Sequence, residues 1–137
     1  MLLKTESETE KFGSELALKL KPRDVVALHG DLGAGKTTLV KGIVEMLASV
    51  SKREIQSPTF TYLSIYEAQT PIFHFDLYRL KDHNAFIQMG FLDYLNEEGI
   101  CLIEWPDRIA SLLPEHTLHI KLVHFEGSRR KIDVYKT

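Results

Sequence analysis

A chain of 137 residues with 44% hydrophobic and 26% charged content is sized and composed for one globular domain with a substantial core. The net charge of −2 gives no electrostatic case for free-standing nucleic-acid binding, though it leaves room for RNA contact inside a larger complex, and one cysteine excludes an intramolecular disulfide. No apolar run approaches membrane-spanning length, and Met1-Leu2-Leu3-Lys4-Thr5-Glu6 turns polar too soon for a secretory signal, so a cytoplasmic protein is expected.

From about Ser7 to Leu20 the spacing predicts an amphipathic helix. Ser7 and Glu10 stand at capping-box distance, Phe12, Leu16 and Leu20 share a face, and Pro22 ends the pattern. Val25-Val26-Ala27-Leu28-His29 follows as an apolar run suited to a buried strand. The next stretch, Gly30-Asp31-Leu32-Gly33-Ala34-Gly35-Lys36-Thr37-Thr38, fills every fixed position of the phosphate-binding pattern G-x-x-x-x-G-K-[ST]. A run of backbone N–H groups can curl around a triphosphate only where side chains do not intrude, which is what the glycines allow. Lys36 would bring a cation to the β- and γ-phosphates, and the Thr37 hydroxyl would take one Mg²⁺ position. Leu39, Val40, Ile43, Val44 and Leu47 then recur with helical spacing to about Val50, and the new helix directs its positive end at the loop. Strand, glycine loop and helix are the context this pattern requires.

Thr59 to Tyr66 and Ile72 to Tyr78 read as strands, and the short Glu67–Pro71 connection predicts an antiparallel hairpin. A plain doubly wound sheet would have a helix here, so a mixed sheet is expected. Asp82 to Asn96 reads as helix interrupted near Gly90, and Ile100 to Trp105 as a buried strand stopped by Pro106. Two β runs close the chain, His116 to Phe125 and Arg130 to Tyr135. Cys101 falls inside an apolar run and reads as a core thiol.

A phosphate loop needs a carboxylate partner to hold Mg²⁺ or polarise water. Glu104, at the end of a core strand, is the first candidate, against the alternative of a strand-end glutamate facing solvent. Asp76 is the second. Alternation puts His74, Asp76 and Tyr78 on one face and Phe73, Phe75 and Leu77 on the other, so the polar face is either a contact surface or a solvated one. Ser57-Pro58-Thr59 is either a switch-like loop, with a threonine hydroxyl meeting Mg²⁺ or water, or a Pro-stiffened strand entry. Arg79 would stabilise transition-state charge or pair on the surface, and Trp105 would be a stacking platform or, the better reading, a core anchor. His116, His119 and His124 lack metal-ligand spacing. The base-reading N/TKxD and DxxG motifs of GTPases are missing from the sequence, which points to ATP.

The four motifs Gly30–Thr38, Ser57-Pro58-Thr59-Phe60, His74-Phe75-Asp76-Leu77-Tyr78-Arg79 and Ile103-Glu104-Trp105-Pro106 are together similar to the bacterial TsaE family, in family order from about Thr9 to about Arg130. The resemblance implies a single P-loop ATPase domain over 1–137, with an α/β, P-loop NTPase-like three-layer fold whose mixed central sheet includes antiparallel hairpins. It implies Mg²⁺-dependent ATP hydrolysis supporting turnover of the complex that places a threonylcarbamoyl group on tRNA adenosine. The expected partners are a TsaD-type transferase subunit and its TsaB-type paralogue, with tRNA met through the complex. The implied catalytic set is Lys36, Asp76 and Glu104, and the metal set is Thr37 and Glu104. The implied nucleotide-binding set is Thr9, Gly33, Ala34, Gly35, Lys36, Thr37, Thr38, Trp105 and Arg130. After His74–Arg79 the family commonly carries an acidic, proline-containing segment, where this chain has Lys81-Asp82-His83-Asn84-Ala85-Phe86, so a partner surface there should differ. The competing functions are a small-molecule or nucleoside kinase, for whose lid and acceptor pocket a chain this short leaves little room, and a nucleotide-gated binding module.

Overall fold

In the computed structural model, which describes residues 1–136 and leaves Thr137 of the expected domain outside, seven strands form one sheet. In chain order the elements are β1 (Leu2–Leu3), α1 (Glu6–Ala17), β2 (Val25–His29), α2 (Lys36–Leu47), β3 (Leu63–Tyr66) and β4 (Ile72–Asp76). They continue with α3 (His83–Gln88), β5 (Ile100–Glu104), β6 (Leu118–His124) and β7 (Arg130–Lys136). The sheet order is β1-β7-β6-β2-β5-β4-β3. The middle strands β6, β2, β5 and β4 are parallel, while β3, β7 and β1 each pair antiparallel at the flanks.

This mixed sheet follows from composition. β2 and β5 are covered on both faces and therefore read as unbroken apolar runs. The β3–β4 and β6–β7 connections are too short for a crossover helix, so each returns as a hairpin. One face packs against α1 and α2 through Val26, Leu28, Leu39, Ile43, Leu102 and Ile120. The other packs Val25, Phe73, Phe75 and Ile103 beneath α3 and the neighbouring 3₁₀ segments, which contribute Ile109. The result is helix, sheet, helix.

Several boundaries move from the sequence expectation. The capping box is two residues earlier. Thr5 Oγ1 accepts from the Glu8 N–H at 3.1 Å and Glu8 Oε2 accepts from the Thr5 N–H at 3.2 Å, so α1 begins before Ser7. Thr5-x-x-Glu8 and Ser7-x-x-Glu10 overlap in the sequence, and the earlier one adds helical residues directly after β1. The line at the centre of the α1–α2 contact is Thr9, Gly13 and Ala17, with Phe12, Leu16 and Leu20 flanking it half-buried. Small residues win because the two backbones nearly touch. A Cβ on Gly13 would lie 2.4 Å from the Leu39 carbonyl oxygen, and one on Gly42 would lie 2.1 Å from that of Glu10. β3 starts at Leu63, since Thr59–Tyr62 is spent on a turn closed by the Tyr62 N–H on the Pro58 carbonyl at 2.8 Å. The predicted helical stretch from Asp82 is split. Asp82 caps α3, Gly90 takes φ 79°, and Phe91–Asn96 continues as 3₁₀.

Cys101 is buried in β5, its Sγ 3.3 Å from the Tyr94 carbonyl, and burial pushes the thiol up to about 12 with Glu97 adding to the effect. A thiol that neither ionises nor meets solvent is a poor nucleophile. Labelling of native protein with a disulfide reagent at pH 8 is therefore expected to run at least ~100-fold slower than in denaturant. Equal rates would place Cys101 at the surface.

Candidate nucleotide site

β2, β5 and β4 run in the same direction, so their carboxyl ends share one edge, where open α/β sheets place their ligand crevices. β2 leads into the glycine loop. Gly35 caps α2 at φ 101°, ψ 13°, a left-handed position that a side chain would strain. The β6–β7 hairpin returns Arg130 to the same edge, pairing it with His124 at the end of β6. Arg130 lies over the loop, and a Cβ on Gly35 would meet its Nε at 3.1 Å.

Lys36 opens α2 and is 5% exposed. Its Nζ donates to the Gly30 carbonyl at 2.5 Å and stands 3.7 Å from the centroid of the Trp105 ring. Burial lowers its pKa, and Glu104, Asp76, Asp31 and Asp107 pull it back. The ammonium is thus held between its own loop, an aromatic face and a set of carboxylates. Trp105 takes the left-handed conformation, φ 58° and ψ 53°, in the residue between β5 and Pro106. It is half-buried, with the Tyr78 ring 4.9 Å away, so the ring both packs on the core and serves as a platform for the cation.

Asp76 and Glu104 are register partners on the adjacent parallel strands β4 and β5. Parallel partners point to the same face. Here it is the face of Leu102, which packs with α2, and it leaves Asp76 4% and Glu104 3% exposed. The expected alternation holds for His74 and Asp76, but α2 covers this face, so the solvated alternatives for both carboxylates fall. Asp76 Oδ2 accepts from Ser57 Oγ and from Thr59 Oγ1 at 3.0 Å, and its Oδ1 accepts from the Tyr78 N–H at 3.0 Å. Glu104 Oε2 lies 3.0 Å from Ser57 Oγ and 2.7 Å from His74 Nε2. Ser57 and His74 belong to the cluster although the motif reading assigned them no role. The alternation of β4 and the Ser-Pro-Thr stretch were the available signals.

The remaining expected residues divide. Ala34 is buried in the loop, and Thr37 and Thr38 are half-buried in the first turn of α2. Gly33 has open space around it. Thr9 sits in the α1–α2 contact at 1% exposure, its hydroxyl donating to the Thr5 carbonyl at 3.3 Å, and it does not line the cavity at the loop. Arg79 is turned onto the exposed Phe60 ring, 4.6 Å from its centroid. His119, read as a scattered strand residue, forms a three-ring cluster with His29 and Tyr135.

A cavity of about 480 Å³ opens beside the loop, bordered by His29, Asp31, Trp105, Asp107 and Lys121. Arg130 Nε is buried without a partner, although Nη1 donates to the carbonyls of Gly127 and Arg129. An unpartnered guanidinium nitrogen and a lysine resting on its own loop carbonyl are donors suited to an incoming anion. Among the described residues no three His, Cys, Asp or Glu side chains gather as a metal cluster. Mg²⁺ needs no such cage, since one carboxylate, one hydroxyl and substrate phosphates suffice, so the residues fit the group.

A mixed α/β sheet with a glycine loop and two paired carboxylates at its carboxyl edge defines the class of protein. The family model described as "Threonylcarbamoyl adenosine biosynthesis protein TsaE" matches residues 3–132, and the chain belongs to that family. It is 37% identical over 131 residues to the TsaE of Treponema pallidum, covering 96% of each chain. It is 38% identical to the TsaE of Bacillus subtilis, covering 91% of this chain and 77% of the relative. Among solved structures it is similar to one described as Bacillus subtilis YdiB, with a TM-score of 0.77 and 33% identity over 96% of this chain and 80% of the other. No helix among the described residues is long and apolar enough to cross a membrane.

Proposed function

We propose that this protein is an Mg²⁺-dependent ATPase whose hydrolysis supports turnover of the complex that installs the threonylcarbamoyl group on tRNA adenosine. Its partners in that role are a TsaD-type transferase subunit and a TsaB-type paralogue, and tRNA is met through them. The supporting observation is the placement of Asp76 and Glu104 side by side on β4 and β5, with Lys36 between the glycine loop and those carboxylates.

The residues divide the work. Lys36 exchanges the Gly30 carbonyl for phosphate oxygens, and the loop N–H groups from Gly33 to Thr38 complete the cradle. Arg130 supplies the unpartnered Nε to the same anion from above Gly35. Bound Mg²⁺ would neutralise charge on the phosphates, with Thr37 and Glu104 as its protein ligands. Asp76, held by Ser57, Thr59 and the Tyr78 N–H, presents an oriented carboxylate to the attacking water.

The test is ATP hydrolysis by the purified protein with Mg²⁺, with and without the two partner subunits. Turnover that needs both Mg²⁺ and the partners is expected. Activity indifferent to the partners counts against the reading, and a phosphorylated small-molecule product would make the protein a kinase. Lys36→Ala is expected to weaken ATP binding ~10- to 100-fold, about 1.4–2.7 kcal/mol, read from Trp105 fluorescence. Unchanged affinity would remove Lys36 from the site.

A further inference from the structure

We propose that His74 is a positioning residue that fixes the Glu104 carboxylate, an assignment that rests on the ATPase reading above. His74 is 0% exposed in the middle of β4, on the same face as Asp76 and Glu104. Its Nε2 lies 2.7 Å from Glu104 Oε2, and its Nδ1 is buried with no partner.

A proton inventory shows why the contact matters. Glu104 Oε2 has two neighbours able to donate, Ser57 Oγ and His74 Nε2. The serine hydroxyl carries a single hydrogen, and Asp76 Oδ2 competes for it. When Ser57 donates to Asp76, the histidine is the donor left to Glu104. The hydrogen therefore sits on Nε2, and in a neutral ring Nδ1 is then an acceptor, with no hydrogen left buried and undonated there. An imidazole locked in the sheet ties down one carboxylate oxygen and leaves the other to the metal side. That is the role of the outer groups that orient metal-ligating carboxylates, whose loss typically costs 10- to 100-fold in metal affinity or activity.

The experiment compares His74→Gln, His74→Asn and His74→Leu in the full chain. Glutamine can place an amide N–H near the imidazole Nε2 position. Asparagine ends one bond short, and leucine fills space without donating. Each variant is assayed for Mn²⁺ binding in the presence of ADP by electron paramagnetic resonance, ADP affinity in EDTA, and ATP turnover with the partner subunits. His74→Leu and His74→Asn are expected to weaken Mn²⁺ binding and lower turnover ~10- to 100-fold, with metal-free ADP affinity within about twofold of wild type. His74→Gln is expected to stay within about threefold of wild type in every measurement. Metal affinity in the asparagine and leucine variants equal to wild type would overturn the assignment, as would a folded glutamine variant as impaired as they are. If leucine prevents folding, the glutamine–asparagine difference decides. A wild-type protein that neither binds Mn²⁺ with ADP nor hydrolyses ATP would overturn the ATPase reading itself, and the assignment with it.

Discussion

Replacing Glu104 by Gln is expected to lower ATP turnover at least ~100-fold in the assembled complex while the chain stays folded. The side chain is 3% exposed at the end of β5, and glutamine keeps its length and an oxygen able to accept from His74 Nε2. What it loses is the charge. Two carboxylates on adjacent strands repel each other, so neutralising one relieves that repulsion even as it removes part of the pull on the Lys36 ammonium. That gain offsets part of any lost hydrogen bonding, and the melting temperature is expected to stay within about 5 °C of wild type. Glu104→Ala goes further and leaves the buried His74 donor unsatisfied, at about 1–3 kcal/mol. Asp76→Ala is expected to abolish turnover as well, because the donors of Ser57, Thr59 and Tyr78 all converge on that one carboxylate. Steady-state turnover and thermal melts on the same preparations decide it. Wild-type turnover in either variant sinks the assignment of these carboxylates.

The largest effect on stability is expected far from the carboxylates. Alanine is a better helix former than glycine by about 1 kcal/mol, so helix propensity alone has Gly42→Ala stabilising α2. The packing predicts the opposite sign. The new methyl carbon would sit 2.1 Å from the Glu10 carbonyl oxygen and 2.9 Å from its carbon, and neither is the end of a flexible side chain. α1 would have to shift off α2 and the sheet, with a loss of about 3 kcal/mol or more. At this size the melting temperature should fall by roughly 10 °C. A melt at or above the wild-type temperature would show that the two helices are not held at this distance.

Much of the site was legible because its chemistry is local. The glycine loop, Lys36 and Thr37 are contiguous, and the apolar runs on either side announce the strand and helix that present them. Other parts depend on partners distant in the chain. The spacing of His74 and Asp76 along β4 assigned them to one face, but whether that face met water or α2 depended on which helix lay over it. Ser57-Pro58-Thr59 read equally as a switch-like loop or a strand entry, and only the folded chain shows Ser57 against both carboxylates, next to the turn closed at Tyr62. Arg130 is nearly a hundred residues from Gly35, and the β6–β7 hairpin is what carries it back to the loop. Helix α1 was legible in part, for a related reason: Phe12, Leu16 and Leu20 do pack on the core. Periodicity picked out its large apolar residues, whereas the contact was built on Thr9, Gly13 and Ala17.

The sequence by itself determined the mixed α/β architecture, the phosphate-loop pattern and the family, since periodicity, turn length and contiguous motifs are properties of short stretches. The tertiary structure decided which side chains meet. Parallel pairing of β4 with β5 sets Asp76 beside Glu104, and both lie buried on the face that packs with α2, with Ser57 against each of them. Register and burial are relations between segments far apart in the chain, so no local pattern contains them.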